Sequence, residues 1–508
     1  MQRPQFLWLL AFSLCFNFSC KSRLVNSLGH QPIPITILQI NDVYEIAPLA
    51  GGKIGGMARV ASLKKDLLRE NPHTYTFMAG DFLNPSVIGT VKLDGKRING
   101  AQMVDVMNQI GVDLVSFGNH EFDLDEEDLQ TRMNESTFDW VAANIFHKTD
   151  QGTQAFEIKR GGKMEEIPTY YILEVPTKGR ALKIGVLSVC INTKEPDYVQ
   201  ITDPYEAAKK AYKQLKDQTD FVVGLTHLAI EQDQALARLL PEIPLIMGGH
   251  EHDHIMQQVG TTRITKADAN AKSAYVHHIS YHPRRQKASI QSERIVLDST
   301  IQLDPEIDQL VKEWENKAYK AFRDQGFDLE TPIAILTVPL DGRESHIRNE
   351  QTNLGQAITQ AMYESLAGTD VAITNSGSVR LDDHLKGKIT EFDLIRSLPY
   401  GGKVLSIKMK GSLLKRILDV GRQNKGKGGY LQIYHASMQG GDWLIGEHPL
   451  DENQTYSVAI TDFLLTGYEE NLAFLTPENP AIESIKEPGP KDPQRDIRLL
   501  LADFLKKQ

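Results

Sequence analysis

Short apolar runs that each end in a cluster of Gly, Asp, Asn or His constrain this chain more than any other feature. Ile35–Ile40 is followed by Asn41-Asp42-Val43-Tyr44, and Thr74–Ala79 by Gly80-Asp81. Asp113–Phe117 leads into Gly118-Asn119-His120-Glu121-Phe122-Asp123, Phe221–Leu225 into Thr226-His227, and Ile243–Met247 is followed by Gly249-His250-Glu251-His252. Short runs of this kind read as strands buried on both faces. Arg59–Leu68, Met103–Ile110 and Pro204–Leu215 read as helices between them, and Leu182–Val189 as a further strand. The alternation predicts an α/β layered domain with its polar clusters gathered at strand ends. Each cluster alone has an ordinary explanation: a Gly-Asp is a turn, and a lone His is a satisfied core or surface residue. A series of them in order, each capping a buried strand, is not explained separately. Carboxylate, amide and imidazole groups together suit borderline-to-hard divalent ions such as Mn, Zn, Co or Fe.

Leu303–Gly326 differs. It is highly charged and carries Ile307, Leu310, Val311 and Trp314 at helical spacing. It reads as a long helix, either joining two domains or lying on the surface of the first. A second α/β pattern follows, with strands over Ile333–Val338, Asp370–Thr374 and Lys403–Met409 and helices over Gln356–Leu366 and Ser412–Val420. A chain of 508 residues has room for two or more domains. The divisions read as a leader over 1–20, a first domain over 33–300, a linker helix over 301–330 and a second domain over 331–505.

The leader has a positive charge at Arg3, an apolar stretch Phe6–Phe18, and then Ser19-Cys20. A short apolar core behind a positive charge predicts a secretory signal rather than a membrane span. Cys20 after a small residue has the form of a bacterial lipoprotein signal, in which the Cys is acylated and anchors the protein to the membrane. Ordinary cleavage to a soluble exported protein is the alternative. Either way the expected place of work is outside the cytoplasm, in the periplasm or at the cell surface. The three cysteines, Cys15, Cys20 and Cys190, are too few for a disulfide framework once the leader is gone. Cys190 lies in an apolar run and reads as a buried small hydrophobe. A formal charge of −10 leaves no global footprint for a nucleic-acid polymer, so an anionic partner would be a small molecule in a local basic pocket.

The order and content of the clusters resemble the metallophosphoesterase superfamily, whose motifs run D-x-H, G-D, G-N-H-E, H and G-H-x-H. The longer Gly118–Asp123 string, followed by a second domain, resembles the 5′-nucleotidase family, and the resemblance spans most of the chain beyond the leader. It implies a four-layered α/β/β/α sandwich, a helix, and a second α/β domain. It also implies two divalent metal ions bridged by Asp81 and a hydroxide. One ion would take Asp42, Asp81 and His252; the other would take Asp81, Asn119, His227 and His250. His120 and Asp123 would form the catalytic dyad, His120 stabilising the transition state and assisting the leaving oxygen while Asp123 orients it. A carboxylate raises a neighbouring imidazole's proton affinity and fixes its tautomer. A helix N-cap before Leu124–Leu129 is the structural alternative for Asp123. Tyr44 departs from the pattern, standing where the family has His. A phenol with an ordinary pKa near ~10 is a poor ligand for Mn or Zn. Three readings stay open: a weakened first site, a ligand set tuned to iron with Tyr44 as phenolate, and a site that has lost catalysis.

From Arg348 onward the chain resembles the 5′-nucleotidase C-terminal domain. Arg348, Asn353 and Gly355 match its opening motif, and Asn375-Ser376-Gly377-Ser378-Val379-Arg380 matches its N-[SG]-G-x-x-R motif. The match implies that Arg348 and Arg380 hold substrate phosphate, which forked guanidinium groups suit. It implies that Asn375 bonds base or ribose. Tyr400, in Leu398-Pro399-Tyr400-Gly401-Gly402, would supply one of two aromatics that sandwich the nucleobase. The second lies in a family G-G-D-G-[FY] motif, which here reads Thr466-Gly467-Tyr468-Glu469-Glu470-Asn471, where Tyr468 would be the replacement that the resemblance offers. The implied activity is that of an enzyme: an extracytoplasmic, metal-dependent phosphohydrolase releasing phosphate from 5′-nucleotides by hydroxide attack at phosphorus. The changed motif keeps open an esterase for cyclic nucleotides, nucleotide sugars or non-nucleotide phosphates. A metal-impaired surface binding protein is the non-enzymatic alternative.

Overall fold

The computed structural model describes residues 31–508 apart from 94, 193–195, 325 and 382. The leader and Cys20 lie outside the described residues.

In chain order the first domain builds its two large sheets from β1 (Ile33–Ile40), β2 (Thr74–Ala79), β3 (Leu114–Ser116), β4 (Asp139–Val141), β5 (Tyr170–Val175), β6 (Leu182–Cys190), β7 (Phe221–His227), β8 (Leu245–Gly248), β9 (Ile255–Val259), β10 (Thr262–Lys266), β11 (Ser273–His282) and β12 (Lys287–Val296). One sheet runs β12-β11-β1-β2-β3-β4 and the other β5-β6-β7-β8-β10-β9. Within them β1 through β4 are parallel, as are β6, β7, β8 and β10, while β5, β9 and the β11–β12 hairpin run antiparallel to their neighbours.

Alternation along each strand explains the stacking. Ile33, Ile35 and Ile37 of β1 join Phe77, Val223, Leu225, Leu245 and Met247 in an apolar layer between the two sheets. Leu38 and Ile40 point the other way, into a core shared with the helices α1 (Met57–Glu70) and α2 (Ala101–Ile110). Behind the second sheet, Val222 and Ile246 meet residues of α4 (Pro204–Leu215) and α5 (Ile230–Leu239). The short helix α3 (Glu126–Glu135) completes the first domain's outer face. The result is the expected α/β/β/α sandwich. Helix α6 (Pro305–Asp324) buries Ile307, Val311, Ala318 and Phe322 and packs on α1 and α2 before the chain enters the second domain.

In the second domain a five-stranded sheet is made by β13 (Val371–Asn375), β14 (Val404–Lys410), β15 (Leu431–Tyr434), β16 (Thr455–Thr461) and β17 (Ile482–Lys486), in the order β15-β13-β16-β14-β17. Ala372 and Ala459 face α7 (Asn353–Glu364) and the C-terminal helix α10 (Ile497–Leu505). Val371, Ile373, Val458 and Ile460 face the other side, where α9 (Gly411–Gln423) supplies Leu413, Leu414, Ile417 and Leu418. The helix α8 (Glu391–Ser397) sits beside the first domain, and Lys272 Nζ reaches Asp383 Oδ2 at 2.6 Å across the boundary between the domains.

Candidate active site

The parallel strands of both sheets deliver their C-terminal ends to one edge of the sandwich. Asp42 follows β1, Asp81 follows β2, Asn119 and His120 follow β3, His227 closes β7, and His250 and His252 follow β8. Four of these residues have left-handed backbone: Asp42 at φ 52°, Asp81 at 56°, His250 at 92° and His252 at 59°. Such conformations persist in non-glycine residues only where the surroundings over-determine them, and they cluster at functional sites. The surroundings are visible here. Asn41 Nδ2 donates to Asp42 Oδ2 at 2.8 Å, His250 N donates to the same oxygen at 2.9 Å, and Ala269 N bonds His252 O at 2.8 Å. Gly249 lets the loop approach: a Cβ there would lie 2.8 Å from both Asp42 Oδ2 and His227 Nδ1.

Glu121 holds the loop of Asp81 in place. Its Oε1 accepts from Phe82 N at 2.8 Å and Leu83 N at 3.1 Å, and its Oε2 from Asp81 N at 2.9 Å and Gly118 N at 2.6 Å. Burial and the charge of Asp81 push its pKa up to about 7, against the pull of these backbone donors. This role was not apparent from the sequence, because Asp81 N, Phe82 N and Leu83 N lie on a loop distant in the chain.

Asp42, Asp81 and His227 offer ligand atoms that all lie within 4.8 Å of one another, and all three residues are buried. His227 Nε2 is 3.2 Å from Asp81 Oδ2, and His252 Nε2 is 3.3 Å from Asp42 Oδ1. His227 Nδ1 donates to Ala79 O at 2.8 Å, so the lone pair of neutral His227 sits on Nε2 and faces the carboxylates. Among the described residues, Asp42 Oδ1, Asn119 Oδ1 and His227 Nε2 are buried with no hydrogen-bond partner. Buried polar atoms are normally paired, and the orphaned acceptors of Asp42 and His227 belong to the buried triad with Asp81, an arrangement that fits a cation. The ring of His250 lies 5.4 Å from that of His227.

The electrostatics say the same. Burial disfavours the charged form of His227, yet Asp81 and Asp42 outweigh it and push its pKa up to about 9, so without a cation the cluster takes a proton instead. Burial, with His227 nearby, pushes His250 down to about 3 and keeps it neutral. Burial works against the Asp42 carboxylate, but His227 and His252 hold its pKa well below the ordinary range.

Tyr44 occupies an unexpected position. Its hydroxyl is 2.8 Å from His252 Nε2, the nitrogen His252 would offer to an ion, and donates to Asp81 Oδ2 at 3.2 Å.

His120 Nδ1 lies 2.7 Å from Asp123 Oδ2. The cap of α3 is Asp125, which accepts from Asp128 N at 2.8 Å, so Asp123 does not serve as that cap. Burial lowers the proton affinity of His120, but Asp123 and Asp81 prevail and raise its pKa. Asp123 Oδ2 also accepts from Arg380 Nη2 of the second domain at 3.2 Å.

Arg380 lines a cavity of about 710 Å³ in the second domain together with Arg348, Asn375, Tyr400, Phe463 and Glu469. Tyr400 is 48% exposed and Phe463 43%. Asn375 Nδ2 donates to Glu469 Oε2 at 2.7 Å. Tyr468 is not part of this wall; it points to solvent, 82% exposed. The second aromatic of the cavity is Phe463, on the 3₁₀ turn Asp462–Thr466, which the sequence reading missed by looking within the changed glycine-rich motif.

Comparison with known proteins agrees with this arrangement. The family model for calcineurin-like phosphoesterases matches residues 35–254, and that for the 5′-nucleotidase C-terminal domain matches residues 332–476. The 5′-nucleotidase of Vibrio cholerae is 26% identical over 423 residues, covering 71% of this chain and 72% of the relative. The trifunctional nucleotide phosphoesterase protein YfkN of Bacillus subtilis is 25% identical over 434 residues, 78% of this chain, but this chain spans only 28% of that longer protein. The crystal structure of a 5′-nucleotidase precursor from Thermus thermophilus superposes with a TM-score of 0.70, covering 94% of this chain and 96% of that one at 21% identity, and so shares the fold. The chain is therefore a member of the 5′-nucleotidase family, a hydrolase with a calcineurin-like phosphoesterase domain ahead of a 5′-nucleotidase C-terminal domain.

Proposed function

We propose that this chain is an exported phosphohydrolase that releases phosphate from 5′-nucleotides, with two divalent ions in the centre around Asp81. The observation that carries the proposal is the position of Arg380, which lines the second domain's cavity and reaches Asp123 Oδ2 at 3.2 Å. Cavity and dyad thus share a residue, and a phosphate drawn to Arg380 would sit beside His120. Divalent ions held by Asp42, Asp81, Asn119, His227, His250 and His252 would supply a nucleophile from water and neutralise charge developing at phosphorus.

The chain's own residues do the rest. Arg348 and Arg380 orient the phosphate. His120, kept in one tautomer by Asp123, donates a proton or hydrogen bond to the departing 5′-oxygen. Tyr400 and Phe463 offer flat faces to a base, and Asn375 and Glu469 offer polar groups to base or ribose. Tyr44 weakens the first ion's site, because its hydroxyl engages both His252 Nε2 and Asp81 Oδ2. The ions that suit the remaining donors are Mn, Zn or Co. Phosphate release from a panel of nucleotides and simple phosphoesters, with each metal supplied, tests the proposal.

A wider range of esters, including nucleotide sugars and cyclic nucleotides, is the second reading. The size of the cavity, about 710 Å³, favours it. Export and an acyl anchor rest on the sequence of residues 1–20; none of the described helices is long and apolar enough to cross a membrane. Cys20→Ser should shift the protein from the membrane fraction to the soluble one, and an unchanged distribution would rule out the anchor.

A further inference from the structure

We infer that Lys266 is a positioning residue for the metal centre, its buried ammonium tying together the backbone segments that carry His227, His250 and His252. The inference rests on the metal reading above. Lys266 ends β10 and is 0% exposed. Its Nζ donates to Leu228 O and to Glu251 Oε2, and lies 2.9 Å from Asp233 Oδ2. Asp233 Oδ1 in turn accepts from Thr226 Oγ1 at 2.7 Å.

Thr226 and Leu228 are the two neighbours of His227, and Glu251 stands between His250 and His252. One cation therefore reaches both sides of one imidazole ligand and the midpoint between two others. A lysine ammonium has three donors; here the Leu228 carbonyl and the Glu251 carboxylate accept hydrogen bonds from it, and the Asp233 carboxylate pairs with its charge. A charge so fully buried is tolerated only with such pairing, and the pairing then resists any shift of its partners.

The loop needs that restraint. His250 and His252 hold left-handed backbone at φ 92° and 59°, which the chain would not adopt unaided. Glu251 Oε1 adds a second tie by accepting from Ile230 N at the start of α5. The residue after Lys266 extends the frame to the opposite ligand: Ala267 N donates to Asn41 Oδ1 at 2.7 Å, and Asn41 Nδ2 donates to Asp42 Oδ2 at 2.8 Å. Lys266 itself contacts none of the candidate ligand atoms in these bonds, so it acts through their backbones.

The test is Co(II) binding to the full chain after chelator treatment, read by visible absorption and by competition with a chelator. Lys266→Met keeps the length of the side chain and removes the ammonium. It should weaken Co(II) binding by roughly 10- to 100-fold, as loss of outer-shell partners does elsewhere, and alter the cobalt d–d bands. If Lys266→Met does not fold, Glu251→Gln serves, since that side chain is 21% exposed and keeps its shape. It should give a weaker affinity loss of the same kind with the same spectral change. Variants that melt earlier but bind Co(II) with wild-type affinity and spectrum would show a merely structural role and overturn the inference. Wild-type protein that takes up no Co(II) would overturn the metal reading, and the inference with it.

Discussion

Arg380 and Asp123, 257 positions apart in the chain, meet through Nη2 and Oδ2 at 3.2 Å. The same oxygen holds His120 Nδ1 at 2.7 Å. Arg380 and His120 also pull the Asp123 pKa well below the carboxylate range, against the effect of burial. Asp123 therefore stays ionised and keeps its imidazole both charged-capable and aimed. The contact makes the dyad a property of both domains together.

His120→Ala should lower kcat by about 10²- to 10⁴-fold, the usual worth of a positioned acid or base. Bound metal should stay at the wild-type level, because His120 is not among the proposed ligands. Asp123→Asn should follow in the same direction with a smaller loss. Metal analysis alongside kinetics checks this, and a loss of metal equal to the loss of rate would move His120 from the substrate to the ions.

Phe463→Ala should raise KM for nucleotides by about 5- to 150-fold, since stacking is worth roughly 1–3 kcal/mol per base. Hydrolysis of a small ester without a base should change little. Tyr468→Ala should behave as wild type. The reverse pattern, with Tyr468 costly and Phe463 neutral, would place the base outside the cavity.

The candidate triad Asp42, Asp81 and His227 was legible in the sequence because each member sits at or next to the end of an apolar strand, where the parallel sheets of this fold converge. Phe463 was not legible. It lies in Asp462-Phe463-Leu464, an ordinary-looking apolar stretch, and only the 3₁₀ turn after β16 brings it into the cavity wall. β15, β16 and β17 were also missed, although they make up most of the second domain's sheet. Tyr456, Val458 and Ile460 alternate inward as a strand should, but nothing around them announced where they pair. Long-range partners decide the remainder: Glu121 is met by backbone N–H groups of the loop after β2, and Lys266 by a carbonyl and two carboxylates from other elements, which no local spacing encodes.

Metal uptake should depend on pH through His227. In the metal-free protein its folded pKa, pushed up to about 9, stands above the ordinary 6.5. The stabilisation from charged His227 is therefore full below pH 6.5 and is lost as pH rises through about 9. An ion must displace that proton, so affinity should rise about tenfold per pH unit across this window and then level off. Calorimetric titrations in buffers of different ionisation heat would detect the released proton. Affinity independent of pH in that window would show that binding displaces no proton from His227.

Tyr44→His should raise the metal bound per chain at limiting supply, and activity with it, by restoring an imidazole beside His252 and Asp81. Tyr44→Phe should remove the hydroxyl's contact with His252 Nε2 and give a smaller gain. Two tightly held ions in the wild type, unchanged in Tyr44→His, would mean that the phenol costs the centre nothing.

Phosphate release from 5′-nucleoside monophosphates by the purified chain, supplied in turn with Mn, Zn and Co, tests the central claim most directly. The account predicts turnover that stops on chelation, returns with the ion, and exceeds turnover of simple phosphate esters in kcat/KM. Protein that holds divalent ions yet releases no phosphate from any 5′-nucleotide would contradict it.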